Sequence, residues 1–244
     1  MTRRERLPIR RNDTYARQTL RPIHSLLFIL PMLAFFHVGA AVYGSDLLAP
    51  RDIDRLLGYF NATLPFLPAV VILAVLLAQH ALQGDRWRIS VRVLGGMLGE
   101  SAVYILPLIA MGHVTGRLWT HQAGTGSPTA ETARRLCVAV GAGVYEEFVF
   151  RLVLIGLLLL VFVDVFELKR DAVIVVSVIL AALAFSAYHV PVSAWRGEAA
   201  VPWYDTFFRA LAGVYLGLVY VLRGYGIAAG THAIYNIYAV TYHM

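Results

Sequence analysis

The sequence has a single cysteine, Cys137. One thiol excludes an internal disulfide and any zinc site built on cysteines, says nothing of the redox compartment, and reads here as a small core residue. Charge is scarce too: 15% of the 244 residues are Asp, Glu, Lys or Arg, against about a quarter in soluble domains. The metal-binding HExxH pattern and the GxGD pattern of intramembrane aspartyl proteases are both absent. The stretch GTGSPTAET at 124–132 has no lysine for a phosphate and reads as a loop before a helix start. No internal repeat is detectable. What fills the chain is apolar: 59% of residues are hydrophobic and the mean hydropathy is +0.65, the composition of a membrane protein.

Apolar runs long enough to cross about 30 Å of hydrocarbon lie near 23–43, 64–83, 93–112, 135–163, 172–190, 206–222 and 226–243. They predict an all-α, polytopic integral membrane protein with about seven transmembrane helices. The first run has an Arg-rich flank like a signal peptide. Its apolar core exceeds the roughly 7–15 residues of a signal's apolar region, so it reads as a retained span. The net charge of +6 raises the question of nucleic acid. Arg3, Arg4, Arg6, Arg10, Arg11, Arg17 and Arg21 all precede the first span, however, and no groove-reading motif accompanies them. A basic tail in that place sets topology and meets anionic lipid, so no nucleic-acid partner is expected. With the N-terminus inside, thirteen Lys and Arg fall on inner segments and seven (Arg51, Arg55, Arg117, Arg134, Arg135, Arg196 and Arg209) on outer segments and their flanks. That bias predicts a cytoplasmic N-terminus and an outer C-terminus, and the basic tail suits the plasma membrane of a prokaryote or equally an internal membrane of a eukaryote.

Three charges interrupt this pattern. The segment GVYEEFVFR, 143–151, places Glu146, Glu147 and Arg151 inside an apolar run, where each charge costs roughly 2.5–3.5 kcal/mol on insertion scales. They must face protein or water. Glu147 and Arg151 are four apart and share a helix face, so they are set to pair. Glu146 is turned about 100° away and is left as a candidate general base. The alternative is one buried ion cluster that holds helices together. Further on, AFSAYHV puts Phe185 and His189 one turn apart, and THAIYNIY does the same for His232 and Asn236. Glu146 lies 22 residues before the turn at Leu168, and His189 lies 20 after Lys169. Antiparallel helices with such similar offsets bring the two side chains level, close enough to hold a water.

EEFVFR, FSAYH and HAIYN resemble the EExxxR, FxxxH and HxxxN motifs of the CAAX-protease and bacteriocin-processing family of intramembrane proteases, which includes the type II CAAX prenyl endopeptidases. The resemblance covers about 133–243 and leaves the first three spans without a signature. It divides the chain into a basic tail (1–22), N-terminal transmembrane helices (23–132) and a catalytic transmembrane core (133–244). It implies an endopeptidase acting on a membrane-associated protein or peptide, in which Glu146 and His189 activate water. His232 and Asn236 would stabilise the oxyanion, with Glu147, Arg151 and Phe185 in support. The family was first described as zinc-dependent, but a glutamate-activated water needs no metal. No cofactor is therefore expected, with zinc as the alternative. Some members are linked to bacteriocin immunity, which leaves a non-proteolytic scaffold as a rival reading. A proton-coupled transporter is disfavoured by the lack of inverted repeats.

One feature of the sequence resists this picture. His232 follows the turn at Gly224 by eight residues, about 12 Å of helix, whereas His189 is about 30 Å past its own turn. The two meet only if the fourth and fifth helices project well beyond the inner membrane face or tilt strongly. Gly213 and Gly217 form a GxxxG pattern that predicts close helix packing. Tyr188, Tyr235 and Tyr238 read as packing aromatics.

Overall fold

The computed structural model describes residues 14–43, 66–115 and 128–242, and among these there are helices and no strands. Most of the basic tail, Arg51, Arg55, Arg117 and residues 124–127 lie outside the described residues. In chain order the helices are α1 (Tyr15–Thr19), α2 (Pro22–Tyr43), α3 (Leu67–Gln83) and α4 (Val91–Val114). A long helix, α5, covers 128–165. It is α-helical over Pro128–Glu147, π-helical over Phe148–Ile155, α-helical over Gly156–Leu159 and π-helical again over Leu160–Val165. After it come α6 (Arg170–Tyr188), α7 (Val192–Trp195), α8 (Trp203–Arg223) and α9 (Tyr225–Tyr242).

Each expected span therefore appears as a helix. Five helical segments are long and apolar enough to cross a membrane: Pro22–Tyr43, Val91–Val114, Ala130–Val165, Arg170–Tyr188 and Trp203–Arg223. Helix α3 is shorter at 17 residues, and α9 falls below the same apolarity because it carries Thr231, His232 and Asn236. Outward faces are rich in large apolar side chains, among them Leu30, Phe35, Leu98, Val103, Leu180 and Leu218. Exposed patches of that kind are rare on soluble proteins, and they fit a surface solvated by lipid.

Helix α9 can be less apolar because it is sheathed by α2, α4, α5 and α8. Residues Tyr225 to Ala233 are all buried. Small residues let the neighbours approach: a Cβ on Gly143 of α5 would stand 2.5 Å from the Ala233 backbone nitrogen. Gly213 and Gly217 likewise lie against Ala182 and Val178 of α6, the close packing their spacing predicts. Cys137 is buried beneath Gly39 of α2. The turn into α9 is made by Gly224 with φ +91, a conformation that disfavours any side chain.

Gly143→Ala is expected to force α5 and α9 apart, at a cost of about 1–3 kcal/mol for overpacking. Thermal unfolding in detergent would read that loss. Unchanged stability would mean that the two helices do not meet here as described.

Despite their unequal offsets from their turns, His189 and His232 both reach Glu146. Leu159, near the end of α5, and Arg170, at the start of α6, border a cavity of about 270 Å³ that Gly224 also borders. His189 folds back along its helix, with Nδ1 2.8 Å from the Phe185 carbonyl oxygen.

Candidate active site

Glu146 sits in the last turn of the α-helical part of α5, just before the chain widens into the π-helical stretch Phe148–Ile155. Such wide turns recur at functional sites. Its carboxylate is buried and faces two imidazoles. His189 Nε2, at the C-terminal end of α6, is 3.4 Å from Oε1, and His232 Nε2, from α9, is 3.7 Å from Oε2. Three helices thus supply one group of side chains.

The far side of each ring is held as well. The Phe185 carbonyl can only accept, so His189 Nδ1 carries a hydrogen and donates it over 2.8 Å. His232 Nδ1 donates to Glu147 Oε1 at 2.8 Å. With Nδ1 engaged in both rings, both Nε2 atoms are presented to Glu146. Phe185 braces the arrangement: its ring centroid is 4.8 Å from that of His189 and 6.0 Å from that of His232.

Glu147 and Arg151 are fully buried and paired, with Nε 3.0 Å from Oε2. The contact is ionic rather than an aligned hydrogen bond. Arg151 Nη2 donates to the Gly213 carbonyl of α8 at 3.3 Å, and its guanidinium lies 4.7 Å over the Phe185 ring. The chain Gly213–Arg151–Glu147–His232 therefore ties α8, α5 and α9 together. Sequence spacing pointed to the Glu147–Arg151 pair but not to the step from Glu147 to His232, which depends on how α9 crosses α5.

Glu146, His189, His232 and Asn236 line one cavity of about 170 Å³, with Phe185 and Ala142. Leu108 of α4, and Phe208, Arg209, Ala212 and Leu216 of α8, complete its walls with Tyr235. Asn236 borders this space, and its Nδ2 donates to the Ala139 carbonyl over a long 3.4 Å. Tyr235 stacks on Phe208 with centroids 5.9 Å apart, Tyr188 packs edge-on against Phe150, and Tyr238 lies against Tyr242. Ser186 donates to the Thr206 carbonyl at 2.6 Å and borders a separate apolar groove, away from Glu146. Among the described residues, no three His, Cys, Asp or Glu side chains are grouped as a metal ion would need.

Arg209 borders this cavity, although in the sequence it reads as a flanking charge. The signal was present: it stands a turn inside an apolar helix, beside Phe207 and Phe208.

Residues 128–238 match the family model described as "Rce1-like: Type II CAAX prenyl endopeptidase Rce1-like". That stretch contains Glu146, Glu147, Arg151, Phe185, His189, His232 and Asn236, and the match is consistent with the CAAX-protease family. The match supports a CAAX-type protease, and the apolar helices of this chain support an integral membrane protein. No curated protein and no solved structure matches the chain.

Proposed function

We propose that this protein is a glutamic-type intramembrane endopeptidase that hydrolyses a peptide bond of a membrane-associated protein. The observation that carries this is the convergence of two imidazole Nε2 atoms on the buried Glu146 carboxylate at 3.4 and 3.7 Å, in the wall of a cavity among membrane helices. A water in that cavity gives a proton to Glu146, and the lone pair of His189 Nε2, 3.4 Å from Oε1, accepts a hydrogen bond from the protonated carboxyl. The hydroxide adds to the scissile carbonyl carbon. The tetrahedral oxyanion then takes hydrogen bonds from Asn236 Nδ2, turned from Ala139, and from His232.

To donate from Nε2 while Nδ1–H faces Glu147, His232 must carry a second proton. The Glu147 carboxylate beside it compensates that charge, and Arg151 balances Glu147 in turn. One preorganised donor of this kind is worth about 10²–10³ in rate in a site screened from water. Collapse of the intermediate passes the proton held by Glu146 to the departing amide nitrogen as the C–N bond breaks. The substrate class suggested by the family is a protein whose C-terminal segment lies at the membrane, prenylated or otherwise.

The test uses the full chain, purified and reconstituted in lipid vesicles with a vesicle-anchored peptide carrying a C-terminal fluorophore. Release of the fluorophore is expected, and exhaustive chelation is expected to leave its rate unchanged. Loss on chelation, restored by added zinc, would overturn the metal-free mechanism.

A further inference from the structure

We propose that the cavity of about 270 Å³ beside the Gly224 turn binds the phosphate group of an anionic phospholipid, with Arg170 as its counter-charge. This space shares no lining residue with the cavity that holds Glu146, so the inference is independent of the reaction proposed there.

Four side chains on three helices meet the cavity with unused hydrogen-bonding capacity. Gln79 and Gln83 stand one turn apart on α3, Tyr220 lies on α8, and Arg170 opens α6. None of these side chains makes a hydrogen bond or ion pair among the described residues. Ser25 adds another donor, since its Oγ accepts from the Gly226 backbone N–H at 3.0 Å and keeps its own hydrogen to give. No Asp or Glu lines the space. Glu167 and Asp171 are near Arg170 along the chain, but neither pairs with it. A guanidinium is always charged and only donates, while amide and hydroxyl groups donate as well. Such a lining suits an anion with several acceptor oxygens, and arginine meets phosphate through two parallel bonds.

The position of the cavity identifies where that anion comes from. Pro22 begins α2, Gln83 ends α3, Arg170 begins α6 and Gly224 separates α8 from α9. Its rim therefore lies where helices leave the hydrocarbon. Just beyond Gln83, Trp87 is exposed between exposed Arg86 and Arg88, the kind of aromatic and basic residues that sit at headgroup level. The Trp87 ring meets that of His80 edge-on at 4.5 Å, which holds it beside the last turn of α3.

One turn deeper the lining becomes apolar. Leu76 lies inward of Gln79 on α3, Ile174 lies inward of Arg170 on α6, and Leu152 and Leu159 of α5 extend the same surface. A free phosphate ion would use only the polar end, whereas a phospholipid uses both. At about 30 Å³ per water the space equals about nine waters, so the four oxygens of a phosphate leave room for the glycerol beside it. Basic pockets between membrane helices recur as anionic headgroup sites. A zwitterionic lipid would bring its own cation to a face that already carries Arg86, Arg88 and Lys169, so the anionic lipid is favoured.

Binding is measured on the full chain in detergent micelles, titrated with radiolabelled phosphatidylglycerol or phosphatidylcholine. A third arm adds inorganic phosphate as competitor at constant ionic strength. Phosphatidylglycerol is expected to bind about tenfold more tightly than phosphatidylcholine, equivalent to about 1.4 kcal/mol, and to resist displacement by phosphate. In Arg170→Gln that preference is expected to collapse towards one. Arg170→Lys, which keeps the charge and loses the fork, is expected to retain part of it. Arg88→Gln removes an exposed charge outside the lining and is expected to leave the preference intact.

Equal binding of the two lipids by the wild type overturns the proposal. So does an Arg88→Gln protein that loses as much preference as Arg170→Gln, since that is diffuse surface charge without a site. Displacement of the lipid by inorganic phosphate also overturns it, because the cavity would then serve a soluble anion. If Arg170→Gln unfolds in detergent, the double variant Gln79→Leu, Gln83→Leu decides. It is expected to weaken phosphatidylglycerol binding severalfold, and unchanged binding is the overturning result.

Discussion

Glu146→Gln is expected to reduce peptide hydrolysis by at least the 10²–10⁴-fold associated with loss of a positioned general base, with little change in thermal stability. Glutamine has nearly the shape of glutamate and can still meet an imidazole from each of its two terminal atoms. It cannot take a proton from water. His189 and His232 would remain at their distances of about 3.4 and 3.7 Å while the acceptor for the nucleophile's proton is gone. The measurement is the rate of fluorophore release in vesicles, set beside unfolding curves of both proteins in the same detergent. Wild-type activity in the variant would remove Glu146 from the mechanism. Parallel loss of activity and stability would reduce it to a packing role.

The second large effect concerns stability. Arg151→Ala is expected to cost about 3–5 kcal/mol, the penalty for stripping one partner from a buried ion pair. Arg151 and Glu147 are both at 0% exposure, and no water reaches the charge left behind. The substitution also removes the donor to the Gly213 carbonyl and the cation over the Phe185 ring. The double variant Glu147→Gln, Arg151→Met is expected to be more stable than Arg151→Ala, because no uncompensated charge remains. It would still lose activity, since His232 loses the carboxylate that holds its Nδ1. A double-mutant cycle without coupling between 147 and 151 would refute the pairing. A double variant with full activity would refute the role assigned to Glu147.

Much of this architecture was legible in the sequence because the membrane makes polar residues conspicuous. Seven apolar runs gave seven helices, since backbone in hydrocarbon has few alternatives to a helix. Nearly equal offsets of Glu146 and His189 from one turn anticipated their approach, because antiparallel neighbours joined by a short turn keep their register. The i, i+4 spacing of Glu147 and Arg151 placed that pair without tertiary information. The link from Glu147 to His232 was not legible, as it follows from the close crossing at Gly143 and Ala233. The π-helical widening after Glu147 has no counterpart in hydrophobic periodicity, which is uniform there. The depth of His232 was misleading for a geometric reason: offsets along helices ignore a ring that folds back a turn.

The low apolarity of α9 bears on how the protein comes into being. A segment bearing Thr231, His232 and Asn236 partitions poorly into lipid by itself, yet α9 is almost wholly enclosed by α2, α4, α5 and α8. It leaves the ribosome after every one of those partners. Its entry into the bilayer therefore waits on a groove already assembled by earlier helices. On the proposed mechanism, His232 and Asn236 join Glu146 only at that step, so a nascent chain holds half a site until its helices are packed. Under the same proposal, docking of α9 completes the catalytic group, and a chain stalled before it would be without hydrolytic activity.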